Sequence, residues 1–80
     1  MESALAIKIR QMVSELTGIE PEQLTTGADF EADLNLNRLE LSELITSLER
    51  NLNIEIDQGE IAKVKTFGRL VSIIGEKMEE

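Results

Sequence analysis

The sequence contains no cysteine, histidine, tryptophan or tyrosine, and its two aromatic residues are Phe30 and Phe67. Without cysteine, no disulfide holds the fold and no thiolate is available for chemistry. Without histidine, the chain lacks the commonest general base and the commonest ligand for zinc. A serine with no base beside it is a poor nucleophile. These absences argue against an enzyme.

Long apolar runs are also missing. No stretch approaches the roughly 20 apolar residues that a membrane span requires. Residues 1–13 lack the basic segment and the continuous apolar run of a secretory signal. We therefore expect a cytoplasmic protein.

Negative charge dominates the middle of the chain. The net charge is −8 at pH 7, and residues 20–60 hold eleven Asp and Glu against Arg38 and Arg50. Phosphate groups are bound by Lys and Arg, so we expect neither a nucleic acid nor a membrane as partner. This acidic region would attract a protein partner with a basic docking patch, unless it serves only solubility. The charge also favours a monomer.

The length and the apolar content predict a single domain, residues 1–80. Eighty residues leave no room for a second core. Apolar residues make up 41% of the chain, which is enough for one core. Because these residues are mainly Leu, Ile and Val with few aromatics, the composition favours helices over a sheet.

Apolar residues at helical spacing predict three main helices. The first begins after Ser3 and ends before Gly18, the second covers about residues 37–52, and the last is capped by Thr66. The predicted buried stripes are Leu5, Ile9, Met12, Val13 and Leu16; Leu41, Leu44, Ile45, Leu48 and Leu52; and Phe67, Leu70, Val71, Ile74 and Met78.

Two further segments complete the predicted all-α fold. Asp57, followed three positions later by Glu60, has the spacing of a capping box and opens a short helix through about Val64. The connection between the first two helices, residues 17–36, is long for so small a domain. We expect one helical turn at residues 21–24 and anchoring by four apolar side chains, Ile19, Leu24, Phe30 and Leu34.

The acidic residues of this loop do not predict a metal site. Asp33, Asn35 and Asn37 alternate like the first ligands of a calcium loop. Position six of such a loop would be Arg38 where Gly is needed, and position twelve would be Leu44 where a bidentate Glu is needed. We therefore expect no bound metal.

The order of these segments resembles the acyl carrier protein family, over essentially the whole chain. A helix is followed by TGIEPEQLT, by ADFEADL, by a charged helix with the stripe LxxLIxxL, by NIEI, and by a short helix and TF. Individually these pieces are weak, but together they fall at the spacing of the family. The matching residues are Gly18-Ile19-Glu20-Pro21-Glu22, Phe30, Asp33-Leu34, Glu43-Leu44, Leu48-Glu49 and Glu55-Ile56.

The resemblance implies a four-helix bundle that carries acyl groups on a phosphopantetheine arm. In the family the arm is attached to the serine of an Asp-Ser-Leu motif at the start of the second helix. Here that segment is Asn37-Arg38-Leu39-Glu40, so Arg38 replaces the serine and Asn37 the aspartate. Asn35 replaces the usual glycine after Asp33-Leu34. Arm attachment needs a hydroxyl that attacks the coenzyme A pyrophosphate, which a guanidinium cannot do.

We therefore interpret the chain as an acyl-carrier-protein-like module without the arm and without a cofactor. It would act as a docking, scaffold or regulatory protein linked to fatty-acid, polyketide or related biosynthesis. The resemblance places acidic docking positions on the second helix, an apolar position in the groove beside it, and an exposed apolar anchor at its start. The predicted partner-binding residues are Arg38, Leu39, Glu40, Glu43, Glu49 and Ile56.

Two alternatives remain open. The chain could be a genuine acyl carrier modified at a non-standard residue such as Ser42, which lies one helical turn after Arg38. It could also be an unrelated helical interaction domain. Arg38 itself places a cation at a helix start, which the helix dipole disfavours. We expect its charge to point into solvent or to be balanced by Asp33 or by a partner's carboxylate.

Overall fold

The computed structural model describes residues 2–79 and consists of helices and loops. In chain order these are α1 (Ala4–Thr17), a 3₁₀ turn (Pro21–Gln23), α2 (Arg38–Leu52), α3 (Gln58–Ile61) and α4 (Phe67–Met78). This order confirms the predicted all-α fold of three main helices, one short helix and a long first loop. None of the helices described is long and apolar enough to cross a membrane.

The predicted caps account for the helix starts. The Ser3 side chain accepts a hydrogen bond from the Ala6 N–H at 3.1 Å, and Thr66 accepts one from Arg69 at 3.2 Å. Each bond satisfies an N–H that has no partner within its helix. Gly18 closes α1 with φ of +78°, a left-handed conformation that glycine adopts without steric cost.

The end of the short helix differs from the prediction. The helix expected to run to about Val64 ends at Ile61, and the next residues form turns. The Val64 N–H bonds to the Ile61 carbonyl at 3.1 Å, a spacing of three residues that tightens the chain beyond a regular α-helix. As a result the carbonyls of Ala62 and Val64 are left for other donors.

One apolar cluster forms the core, and most of the predicted stripe residues belong to it. Leu5, Met12, Leu52 and Val71 pack partly buried against it. Leu16 and Met78 are 47% and 43% exposed, because each lies in the last turn of its helix, at the edge of the core. Ile73 is buried although it was not among the predicted residues. The cluster consists of Ile9, Val13, Leu24, Phe30, Leu41, Leu44, Ile45, Leu48, Ile56, Ile61, Val64, Phe67, Leu70, Ile73 and Ile74.

The long loop is fixed by its own side chains and by backbone hydrogen bonds. Leu24 and Phe30 are fully buried, as predicted, while Ile19 and Leu34 pack partly buried against the core. The Phe30 N–H bonds to the Lys65 carbonyl at 2.8 Å, and the Phe67 N–H bonds to the Ala28 carbonyl at 3.0 Å. These bonds place the loop, and therefore the start of α2, beside the link between α3 and α4.

Candidate functional site at the start of the second helix

A reciprocal cap fixes the start of α2. The Asn37 side chain accepts a hydrogen bond from the Glu40 N–H at 2.7 Å, and Oε1 of Glu40 accepts one from the Asn37 N–H at 2.9 Å. Two helix-start N–H groups are thereby satisfied. Glu40 therefore stabilises the helix with one carboxylate oxygen, and its exposed side chain remains at the surface.

The loop residue before this cap explains one departure from the family pattern. Asn35 stands where the family has glycine, and its φ is +63°. That left-handed conformation is free of steric cost only for glycine, and among the other residues asparagine tolerates it best. The substitution therefore keeps the backbone turn that leads into α2.

Arg38 connects the start of α2 to the end of α3. Its Nη1 donates to the Val64 carbonyl at 3.1 Å, and its Nη2 donates to the carbonyls of Ala62 at 3.0 Å and Ile61 at 3.4 Å. A carboxylate oxygen of Glu31 lies 3.5 Å from Nη1. The guanidinium thus supplies hydrogen-bond donors to carbonyls at the end of a helix, where a cation is favourable.

Two of the expectations for the charge of Arg38, that it points freely into solvent or is balanced by Asp33, were wrong. Although 45% of its side chain is exposed, the guanidinium is held by these carbonyls instead of pointing freely into solvent. Asp33 is not its partner, because Oδ2 of Asp33 accepts a hydrogen bond from the Asp29 N–H at 2.8 Å. The backbone carbonyls that replace Asp33 carry no signal in the sequence, since any residue supplies one.

The loop carboxylates are likewise used within the loop. Oδ1 of Asp29 accepts from the N–H groups of Glu31 and Ala32, both at 2.9 Å. These hydrogen bonds hold the pKa of Asp29 below its usual range, the bond from Ala32 contributing most. Across residues 2–79 there is no group of three or more side chains placed to hold a metal ion.

The residues at this site do not fit a phosphopantetheine arm. Attachment would require a hydroxyl at position 38, where the guanidinium of Arg38 is bonded to backbone carbonyls. Ser42, the alternative attachment residue, lies one turn further along α2 and is partly buried. It follows the buried Leu41 and lacks a preceding aspartate.

The six predicted partner-binding residues fall into two groups. Leu39 is 68% exposed, and Glu40 and Glu43 are exposed on the same helix as Arg38. Glu49 and Ile56, in contrast, bind each other: Oε2 of Glu49 accepts from the Ile56 N–H at 2.8 Å. Ile56 belongs to the core and is only 7% exposed, so it leaves little surface for a partner.

Comparisons with known proteins agree with this architecture. The model of the phosphopantetheine attachment site family matches residues 8–74. An acyl carrier protein of Thermosynechococcus vestitus is 31% identical over 77 residues, covering 96% of this chain and 95% of that protein. One from Thermotoga maritima is 30% identical over 71 residues, covering 89% and 88%. One from Saccharopolyspora erythraea is 32% identical over 66 residues, covering 82% and 70%.

The matches cover 70–95% of the length of these relatives, and they coincide with a four-helix fold whose second helix begins at the expected position. The chain therefore belongs to the acyl carrier protein family.

Proposed function

We propose that this protein is a member of the acyl carrier protein family that carries no phosphopantetheine arm. It acts by docking, as a scaffold or regulator, against a protein partner with a basic patch, and it is not itself a catalyst. The setting that family membership suggests is fatty-acid, polyketide or related biosynthesis. The alternative of an unrelated helical domain loses its support once the family is shown.

One observation carries the proposal: the side chain at the position of the family's serine is a guanidinium with structural partners. Arg38 lacks a hydroxyl, and it bonds to the carbonyls of Ala62 and Val64. A side chain that holds two elements together has a role of its own, which supports a segment adapted to something other than arm attachment. Leu39 and Glu43, both exposed, remain free to meet a partner.

The first experiment is intact mass after incubation with coenzyme A and a broad-specificity phosphopantetheinyl transferase. A conventional acyl carrier protein serves as the positive control. We expect no change in mass for this protein and a shift by one phosphopantetheine group for the control. A shift for this protein would overturn the proposal and favour the alternative of a carrier. Fragment mapping of the modified protein would then locate the attachment site, and the Ser42→Ala variant would test whether that site is Ser42.

A matched variant identifies which residues prevent attachment. Asn37→Asp combined with Arg38→Ser restores the family's Asp-Ser-Leu sequence while keeping Leu39. If only this segment excludes the arm, the double variant gains one phosphopantetheine group under conditions in which the parent protein gains none. An unmodified double variant would mean that the surrounding surface has also lost recognition by the transferase.

The docking role is tested by charge reversal at Glu43. Reversal at Glu40 would also remove the cap of α2, since Oε1 of Glu40 bonds to the Asn37 N–H, whereas Glu43 is exposed and takes no part in that cap. Against a partner isolated by pull-down, Glu43→Lys is expected to weaken binding and Glu76→Lys, on α4, to leave it nearly unchanged. Equal affinities for both variants would place the docking surface elsewhere.

A further inference from the structure

An open groove runs along the seam between α1 and α2. It consists of two neighbouring cavities of about 290 and 160 Å³ that share Leu16 as a lining residue. Leu16 was expected in the buried stripe, yet almost half of it is exposed. The remaining lining residues are Thr17, Leu36, Glu40, Glu43, Leu44 and Ser47 in the larger cavity and Met12, Glu15 and Asn51 in the smaller one.

The groove combines an apolar floor with a rim of one charge sign. Leu16, Leu36 and Leu44 supply apolar surface in the larger cavity, while the carboxylates of Glu15, Glu40 and Glu43 lie around the two cavities. Neither Lys nor Arg is among the described residues that line them. Because no cation among these lining residues offsets the carboxylates, the groove is complementary to an apolar side chain flanked by positive charge.

We propose that this groove is a docking surface for a basic amphipathic segment of a protein partner, with an aliphatic side chain seated on Leu16 and Leu36. The lysines or arginines of that segment face Glu15, Glu40 and Glu43. This inference rests on the proposed docking function and deepens it, because it extends the docking surface of α2 toward α1. The partner-binding residues predicted from the sequence, in contrast, lie only on α2 and on the link that follows it.

Other occupants fit the charges less well. A second copy of this chain brings a net charge of −8 to an acidic groove, and electrostatic repulsion opposes that contact. A free fatty acid would place its own carboxylate beside three others, which is unfavourable. The larger cavity, at about 290 Å³, lies just below the usual size range of small-molecule pockets, and this size suits individual aliphatic side chains.

The test uses a labelled synthetic helix with leucine on one face and lysine on the other, titrated into the full chain. Amide NMR shifts locate the bound helix, and fluorescence anisotropy gives its Kd. We expect the largest shifts at Leu16, Thr17, Leu36 and Ser47. Leu16→Ser and Glu43→Gln should each weaken binding by about fivefold, which corresponds to about 1 kcal/mol. Glu76→Gln and Ile7→Ser, at an exposed apolar position of α1 outside the groove, are the matched controls, and each is expected to change Kd less than about twofold. Leu39→Ser reports separately on the exposed start of α2.

Each contrary result has a distinct meaning. A loss caused by Leu39→Ser but not by Leu16→Ser would overturn the groove and leave docking on the exposed start of α2 intact. Equal binding of a helix with glutamate in place of lysine would overturn the charge argument. Shifts spread over α4, or the absence of binding, would also reject the groove. Sedimentation showing a dimer closed through Leu16 would make a second copy the occupant instead.

Discussion

The two sides of α2 are held by different forces. On the side of α3, polar contacts join the elements: Arg38 bonds to the carbonyls of Ala62 and Val64, and Glu49 bonds to the Ile56 N–H. On the side of α1, the hydrogen bonds described for residues 2–79 include none between the two helices. That seam depends on apolar packing, and it is also where the groove lies.

The two sides of α2 therefore differ in how firmly they fix the helix and in how much surface they leave exposed to a partner. Hydrogen bonds between α2 and the α3–α4 link are directional, so they fix the start of α2 relative to its neighbours. Apolar contacts carry no such directional constraint, and the seam leaves Leu16 partly uncovered. We expect the α3 side to set the position of α2, and the α1 side to offer the surface that a partner can cover.

Removing a core side chain from α1 should have the largest effect, because packing alone holds the seam. Ile9 is fully buried, and Ile9→Ala is expected to lower the free energy of unfolding by about 2–5 kcal/mol. Ile7, on the same helix, is 54% exposed, so Ile7→Ala should stay within about 0.5 kcal/mol of the parent. Urea unfolding followed by circular dichroism measures both. Similar losses for the two variants would contradict a buried position for Ile9 and an exposed one for Ile7.

The contact between the first loop and α4 provides the next test. A Cβ built at Gly68 would lie 2.6 Å from Cγ2 and 2.8 Å from the carbonyl oxygen of Thr26. That oxygen accepts the Gly68 N–H at 2.9 Å, so it cannot move away without losing the bond. Gly68→Ala should therefore destabilise the fold by about 1–3 kcal/mol, the usual cost of overpacking.

Gly75 is the matched control for this substitution, because it lies in the same helix. A Cβ at Gly75 meets only Cδ2 of Leu5 at 3.5 Å, an ordinary contact. Gly75→Ala should raise stability by about 0.5–1 kcal/mol through helix propensity. A stabilising Gly68→Ala would show that the first loop does not approach α4 this closely.

Loss of the Arg38 contacts should have a smaller effect on stability. Arg38→Met removes the donors to the carbonyls of Ala62 and Val64. Because the side chain is partly exposed, water can replace them, and we expect a loss of about 1 kcal/mol. Arg50→Met, at an exposed position in the last turn of α2, should cost no more than about 0.5 kcal/mol. Equal unfolding midpoints for the two variants would mean that Arg38 does not hold α2 to α3.

The sequence predicted the helices well because their signals are local. Apolar periodicity and the cap residues Ser3 and Thr66 depend on neighbours within a few positions, and both residues make the expected cap bond. The resemblance to a family added the order of the elements. Four of the six predicted partner-binding residues also lie exposed on α2.

The parts that escaped prediction depend on contacts between distant segments. Arg38 bonds to backbone carbonyls 23 to 26 positions away, and a carbonyl has no signature in the sequence. Leu16 fits the periodicity of a buried stripe, but it lies in the last turn of α1, at the edge of the core, and almost half of it is exposed. Ile56 matches an apolar docking position, yet the bundle encloses it in the core.

The polar contacts of the α3 side should also make its stability depend on pH. Glu60 forms an ion pair with Lys77 at 2.9 Å and accepts a hydrogen bond from the Asp57 N–H. These contacts, the Lys77 bond first, lower the pKa of Glu60. A carboxyl whose pKa is lower in the folded state stabilises the protein above its unfolded pKa of about 4.3, and this contribution is lost as pH falls through the folded value.

Urea midpoints measured from neutral to acidic pH should therefore decline less steeply for Glu60→Gln than for the parent, since glutamine cannot titrate. Because Glu60 is at the surface, salt should reduce the difference between the two curves. Parallel curves at low salt would mean that the ion pair between Glu60 of α3 and Lys77 of α4 contributes nothing to the stability of the fold.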